Sequence, residues 1–211
     1  MNALEVIGRA RLVPVIEIED ADAAQPLGEA LMAGGLPIAE VTFRTDAALE
    51  SLRRMADIVG LVAGAGTILN AEQARAAIDA GARFLVSPGC FPKVLSAAAE
   101  AGVPVFPGIA TPTDIGLALD HGRTVLKYFP AEALGGTAML TALAAPFPGV
   151  MFIPTGGINV ENLSAWLALP QVFACGGSWM AGKALLRARD FDTIRERTAA
   201  AVALARKPSQ P

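Results

Sequence analysis

Residues 61–107 read LVAGAGTILN AEQARAAIDA GARFLVSPGC FPKVLSAAAE AGVPVFP. Three short β-rich runs, Leu61–Ala65, Arg83–Ser87 and Val103–Pro107, alternate here with alanine-rich segments of helical composition and period. Strand runs separated by amphipathic helical segments are βα units. The Ala-Gly ahead of the runs, at Gly81 and Gly102, marks a helix C-terminus turning into a strand. Moving outward, the same phrase recurs at Gly34–Gly35 after the helical segment Ala21–Ala33. Five further runs follow the pattern: Leu12–Ile18 (LVPVIEI), Pro37–Phe43 (PIAEVTF), Thr124–Phe129 (TVLKYF), Val150–Pro154 (VMFIP) and Gln171–Cys175 (QVFAC). Each run starts 20 to 26 residues after the one before it, room for a helix and a return loop. Eight such units in one chain of this length predict a single-domain α/β fold, a closed (β/α)8 TIM barrel with an N-terminal helix, spanning residues 1–211. The tail beyond Arg206, KPSQP, is expected to fray. An open doubly wound sheet would carry a Gly-x-Gly-x-x-Gly turn after its first strand. The first run leads instead into Glu17-Ile18-Glu19-Asp20.

Composition narrows the function classes. Seventeen basic and twenty acidic residues give a net charge of −3, which argues against a chain built to bind nucleic acid. Hydrophobic residues make up 53% and charged ones 18% of the 211 positions, so part of the polar deficit is hidden in a core or an interface. No apolar run reaches the roughly 18 residues of a membrane span. The opening MNALEVIGRA carries Glu5 and Arg9 and lacks the apolar core of a secretion signal. Cys90 and Cys175 form neither a disulfide framework nor a zinc cluster. A cytoplasmic protein with no nucleic-acid or membrane partner is expected.

In a parallel barrel, chemistry collects at the C-terminal strand ends. On Ile38–Arg44, alternation puts Glu40, Thr42 and Arg44 on one face and Val41 and Phe43 on the other. The apolar pair meets helices, so the polar set turns inward, where charges are costly unless paired or used. An internal Glu40–Arg44 ion pair is the plain alternative. The chain has four lysines: Lys93, Lys127, Lys183 and Lys207. Three fall in helical or tail contexts, and Lys127 alone lies within an apolar strand, Val125–Phe129. A desolvated lysine favours the neutral amine, the nucleophile that condenses with a carbonyl. Here the plain alternatives are a lysine reaching out to water or bound to Glu40.

The glycine pairs Gly156–Gly157 and Gly176–Gly177, the second followed by Ser178, fall after the last two runs, where such barrels commonly hold phosphate on backbone N–H groups. Gly64-Ala65-Gly66-Thr67 offers a further hydroxyl but lacks the lysine of a P-loop. His121, the single histidine, sits at a helix end and leaves no Ser-His-Asp triad and no histidine metal site. Trp166 falls mid-helix as a packing residue, while Trp179 and Phe129 border the expected pocket.

Several motifs occur in order: Glu40-Val41-Thr42-Phe43-Arg44-Thr45, Gly64-Ala65-Gly66-Thr67, Ser87-Pro88-Gly89, Pro107-Gly108, Lys127-Tyr128-Phe129-Pro130-Ala131-Glu132, Pro154-Thr155-Gly156-Gly157-Ile158 and Gly176-Gly177-Ser178-Trp179. From Leu12 to about Arg197 the chain resembles the class I aldolases of 2-keto-3-deoxy-6-phosphogluconate (KDPG) and 4-hydroxy-2-oxoglutarate (KHG). The resemblance implies a trimeric (β/α)8 barrel acting on a small keto acid, with no metal and no cofactor. It makes Lys127 the Schiff-base lysine and Glu40 the general acid/base. Arg44 and Thr67 become the anchors of the pyruvyl carboxylate, and Gly156, Gly157, Gly177 and Ser178 the phosphate clamp. Tyr128 stands where phenylalanine is common, on the face away from the site. Glu17 and Glu19 stand where some relatives carry neutral or basic residues, and acids there are expected to weaken binding of a phosphate dianion. An aldolase for the epimeric phosphogalactonate substrate (KDPGal), and a non-catalytic barrel binding a phosphorylated ligand, are the competing readings.

Overall fold

The computed structural model describes residues 2–206; the KPSQP tail lies outside them. Nine strand segments alternate with helices. The chain begins with α1 (Ala3–Ala10), β1 (Leu12–Ile16), α2 (Ala24–Ala33), β2 (Ile38–Thr42), α3 (Ala48–Ala56), β3 (Val62–Gly66) and α4 (Ala71–Asp79). It continues through β4 (Leu85–Val86), α5 (Pro92–Glu100), β5 (Val105–Phe106), β6 (Gly108–Ile109), α6 (Pro112–Asp120), β7 (Val125–Tyr128) and α7 (Gly136–Ala144). The last elements are β8 (Met151–Pro154), α8 (Leu163–Leu167), β9 (Cys175–Gly177), α9 (Lys183–Ala188) and α10 (Phe191–Ala205). Every strand pairing is parallel, as βα repetition demands.

The strands form a curled sheet in two parts, one ordered β5-β4-β3-β2-β1-β9 and the other β6-β7-β8. The expected fifth strand, Val103–Pro107, is shortened to Val105–Phe106, and a strand not read from the sequence follows at Gly108–Ile109, the break falling at Pro107, which has no N–H to give a ladder. Its carbonyl still accepts from Lys127 N–H at 2.9 Å, so β5 pairs with β4 while β6 continues onto β7. The last strand also differs from expectation. Of Gln171–Cys175, Val172 makes only an isolated bridge to Phe152, and the strand proper is Cys175–Gly177. The glycines expected after this strand are the strand itself. A Cβ at Gly176 would lie 3.1 Å from Thr155 Cγ2, so the backbone crosses that side chain only without one.

Alternation partitions the side chains as the sequence predicts. Ala39 and Val41 of β2 pack with Leu27 and Leu31 of α2 and Leu52 and Met55 of α3, and Phe43 adds to that layer. Leu126 and Tyr128 of β7 face Leu140 and Trp166, with the Tyr128 and Trp166 rings 6.3 Å apart. Tyr128 therefore turns away from the inner face, as expected. Inside the curl, Val13, Phe84, Val86, Phe106 and Ile153 make an apolar floor, with the two phenylalanine rings 5.9 Å apart. The helix stops are chemical. Gly81 and Gly102 take φ of +95° and +68°, which a side chain would resist, while after α2 it is Gly35 (φ +83°) rather than Gly34 that turns left-handed. His121 caps the end of α6. Cys175 is buried, and burial pushes its thiol well up; no helix among the described residues is long and apolar enough to cross a membrane.

Candidate active site

The polar residues that alternation turned inward converge above the apolar floor. Lys127 and Glu40 are both buried, with side chains 4% and 3% exposed, and Lys127 Nζ stands 3.6 Å from Glu40 Oε1. Lys127 does not reach out to water, and Glu40 does not pair with Arg44. The separation exceeds a charge-assisted hydrogen bond, and Glu40 Oε1 has no hydrogen-bond partner. Nζ also lies 5.0 Å from the centroid of the Phe129 ring. The register explains the meeting: Glu40 sits opposite Gly64 on β3, and Lys127 opposite Gly108 on β6, so neither has a bulky neighbour on those sides. Gly66 is required for the same reason, since a Cβ there would fall 2.8 Å from Glu40 Cγ and Cδ and closer still to Oε1.

Above the pair opens a cavity of about 320 Å³. Lys127 forms part of its base, and Arg44, Gly156, Gly157, Gly177 and Ser178 line its sides. Glu40 lies below, facing a small space that it shares with Lys127 and the apolar floor. Thr67 is outside the lining but accepts a hydrogen bond from Arg44 Nε at 3.1 Å, which aims the guanidinium; its own backbone is left-handed (φ +59°), costly for a β-branched residue. The eight residues singled out in the sequence thus gather around one site, Glu40 and Lys127 from within their strands and the others from or just beyond the C-terminal strand ends. The Gly156–Gly157 turn has φ of +98° and +83°, and neither N–H donates to another group among the described residues, leaving both free for an anion.

Thr42 lines the cavity as alternation predicts, with its hydroxyl engaged by the Ile16 carbonyl at 2.9 Å. Two polar lining residues escaped the sequence reading, Thr155, which adds a hydroxyl, and Lys183. Lys183, taken for a solvated helix lysine, sits on the cavity lip and donates to Glu17 Oε1 at 2.6 Å. The available signal was position: Lys183 follows Gly182, five residues beyond Ser178. Glu17 also approaches Arg44 Nη1, at 3.7 Å. Glu19 and Asp20 lie outside the cavity and are matched by cations at the end of α9: Arg187 grips Glu19 through two bonds of 2.9 and 2.8 Å, and Arg189, just past the helix, reaches Asp20 at 2.7 Å. The Arg187 hydrogen bonds hold the Glu19 carboxyl below its ordinary range. Only Glu17 therefore places negative charge at the mouth. Among the described residues, no group of three or more His, Cys, Asp or Glu side chains is arranged to hold a metal.

This arrangement suits imine chemistry: a desolvated amine, a carboxylate beside it, a guanidinium on one side and free backbone donors on the other. Comparison with known proteins points the same way. The chain is 47% identical over 195 residues to a 2-dehydro-3-deoxy-phosphogluconate aldolase of Treponema pallidum, covering 92% of this chain and 93% of that one. It is 41% identical over 194 residues to a KHG/KDPG aldolase of Escherichia coli, covering 92% and 91%. Its structure superposes with a TM-score of 0.90 on the KDPG aldolase of Legionella pneumophila, 37% identical with 94% and 97% covered, solved with pyruvate captured as a covalent carbinolamine intermediate. Residues 4–197 match the family of KDPG and KHG aldolases, and the chain belongs to that family.

Proposed function

We propose that this protein is a class I aldolase that reversibly cleaves KDPG to pyruvate and glyceraldehyde 3-phosphate, and also cleaves KHG to pyruvate and glyoxylate. The observation that carries this reading is the buried Lys127–Glu40 pair, 3.6 Å apart at the base of an open cavity. Lys127 Nζ, as the free amine, attacks the C2 ketone of the keto acid. Glu40 shuttles protons while the carbinolamine loses water to give an iminium. That cation is an electron sink for the C3–C4 bond. Glu40 takes the proton of the C4 hydroxyl, the bond breaks, its electrons pass to the enamine, and the aldehyde leaves. Protonation at C3 and hydrolysis of the imine then release pyruvate and restore the amine.

Arg44, aimed by Thr67, binds the carboxylate end and fixes the ketone over Nζ. Gly156, Gly157, Gly177 and Ser178 hold the distal phosphate. The curled sheet is read as a closed (β/α)8 barrel of one domain. In that reading β5 and β6 are one strand interrupted at Pro107, and β8 and β9 are neighbours through the Phe152–Val172 and Thr155–Gly176 bridges. A cytoplasmic homotrimer is the assembly that the family resemblance supports, and light scattering on the purified protein tests it.

The chemistry is tested by borohydride reduction with pyruvate. Irreversible inactivation with the adduct on Lys127, and its loss in Lys127→Ala, is the expected result; full activity of Lys127→Ala overturns the assignment. Release of pyruvate from KDPG, KDPGal and KHG, measured side by side, decides the substrate.

A further inference from the structure

The motif Lys127-Tyr128-Phe129-Pro130-Ala131-Glu132 ends in Glu132, for which the mechanism above has no use. Its surroundings give it one. After β7 the chain runs beside the end of β8: Ala131 N–H donates to the Thr155 carbonyl at 2.8 Å and Glu132 N–H to the Gly156 carbonyl at 3.1 Å. The Glu132 side chain then folds over the glycine turn. Its stem lies so close to Gly157 that a Cβ there would fall 2.6 Å from Glu132 Cβ and Cγ. Its Oε1 accepts two hydrogen bonds, from the indole Nε1 of the buried Trp166 at 2.7 Å and from Asn162 Nδ2 at 3.1 Å. Asn162 Nδ2 donates in turn to the Gly157 carbonyl at 3.1 Å, and its Oδ1 accepts from Asn159 N–H at 2.9 Å. Through its backbone N–H, Glu132 holds the Gly156 end of the Gly156–Asn159 turn, and through Oε1, by way of Asn162, it ties the rest of that turn and the start of α8 to the segment that follows the Lys127 strand.

We infer that Glu132 is a positioning residue that sets the Gly156–Gly157 turn at a fixed place relative to Lys127, and so determines how well the distal phosphate of the substrate is held. The inference rests on the proposed role of that turn as part of the phosphate clamp. The physical reason for such a device is conformational. Two adjacent glycines with positive φ have many alternatives in the absence of a constraint, and free N–H groups bind an anion well only when they are already aimed. Hydrogen bonds from Gly156 and Gly157 to their own loop do not supply the aim, because those N–H groups are free. The Glu132–Asn162–Trp166 set holds the turn by its carbonyls and its flank instead, leaving the donors for the ligand. Among the described residues Glu132 forms no hydrogen bond or ion pair with Lys127 or Glu40, so imine formation is expected to survive its loss.

The test is the kinetics of Glu132→Ala, Glu132→Gln and Trp166→Phe with KDPG and with KHG, alongside pyruvate–borohydride trapping. Glu132→Ala is expected to raise KM for KDPG about tenfold, with kcat within twofold and KM for KHG changed by less than threefold. Glu132→Gln keeps an oxygen acceptor and is expected to recover most of the KDPG loss. Trp166→Phe removes one donor while keeping the packing, and is expected to shift KM for KDPG in the same direction by a smaller factor. It reads the network even where Glu132→Ala does not fold. An equal rise in KM for both substrates, a fall in kcat with KM unchanged, or wild-type values in Glu132→Ala overturns the inference. Absence of pyruvate trapping in the unaltered protein would instead overturn the aldolase reading itself, so the two failures are separable.

Discussion

Gly66→Ala places a methyl group against the Glu40 carboxylate, whose atoms are the nearest to the new Cβ. The new Cβ would stand 2.8 Å from Glu40 Cγ and Cδ. Carbon atoms settle at about 3.5–4 Å, so the carboxyl end must retreat by roughly 1 Å. β2 and β3 are paired along five residues and cannot part, whereas the carboxylate, with Oε1 unbonded, can swing. The protein therefore folds, and the acid/base group moves. A misplacement of about 1 Å costs on the order of 100-fold in rate when a reacting group must be aligned. A coupled assay following pyruvate release is expected to show kcat falling by about that factor, with KM little changed. Borohydride trapping of added pyruvate continues, more slowly. Glu40→Gln sets the scale, since removing a general acid/base altogether costs about 10²–10⁴-fold. Wild-type kcat in a folded Gly66→Ala protein would mean that the position of Glu40 beside Lys127 is immaterial to turnover, and the mechanism would have to be rebuilt without it.

Further outcomes follow from the same geometry. Ser178→Ala is expected to raise KM for KDPG about tenfold, the worth of a hydrogen bond to a charged group, and to affect KHG less; equal effects would place the phosphate elsewhere. Glu17→Gln frees Lys183 and Arg44 from their carboxylate at the cavity lip. It should lower KM for KDPG roughly two- to fivefold at low salt, fading at high salt, as suits partly exposed pairs; a higher KM would mean that Glu17 serves to orient Arg44. In acid, the Arg187 hydrogen bonds to Glu19, the Asp22 backbone hydrogen bond to Asp20 and the Thr193 side-chain hydrogen bond to Asp190 all depress carboxyl titration in the folded protein. Groups so shifted contribute stability in full above their unfolded values, about 4, and lose it as pH falls through the lower folded ones. Thermal midpoints should hold from pH 7 to about 5 and decline below about 4; a decline that begins near pH 6 would point to other groups.

The sequence disclosed most about residues whose surroundings are local. Lys127 stood out because a charge within an apolar strand has few places to go, and Glu40 because period-two alternation tied it to Thr42 and Arg44. Both expectations needed only strand geometry. Lys183 was invisible for the opposite reason: its meaning lies in Glu17, 166 residues away, and no periodicity links a helix start to the end of the first strand. The Glu132 network was hidden likewise, with partners 30 and 34 residues distant. Trp166 did prove to be a packing residue, but its indole N–H also has an acceptor to serve. Strand ends were misread where side chains are missing or cyclic. By pattern the fifth run ends at Pro107, whereas pairing resumes at Gly108–Ile109, and the Cys175–Gly177 strand has glycines where propensity sees a loop.

β1 lies between β2 and β9, partners drawn from opposite ends of the chain. During synthesis it meets the first within a few dozen residues, yet waits for the second until nearly everything else has been made. Until then one flank of an apolar strand offers bare peptide groups to any other unfinished chain nearby. A nascent polypeptide halted after β8 would hold the amine, the acid and the guanidinium but lack Gly177 and Ser178, and its first strand would remain unsealed. The closing of that seam and the completion of the pocket are therefore a single late event, which makes aggregation during production, rather than weak chemistry, the natural failure of C-terminally shortened forms.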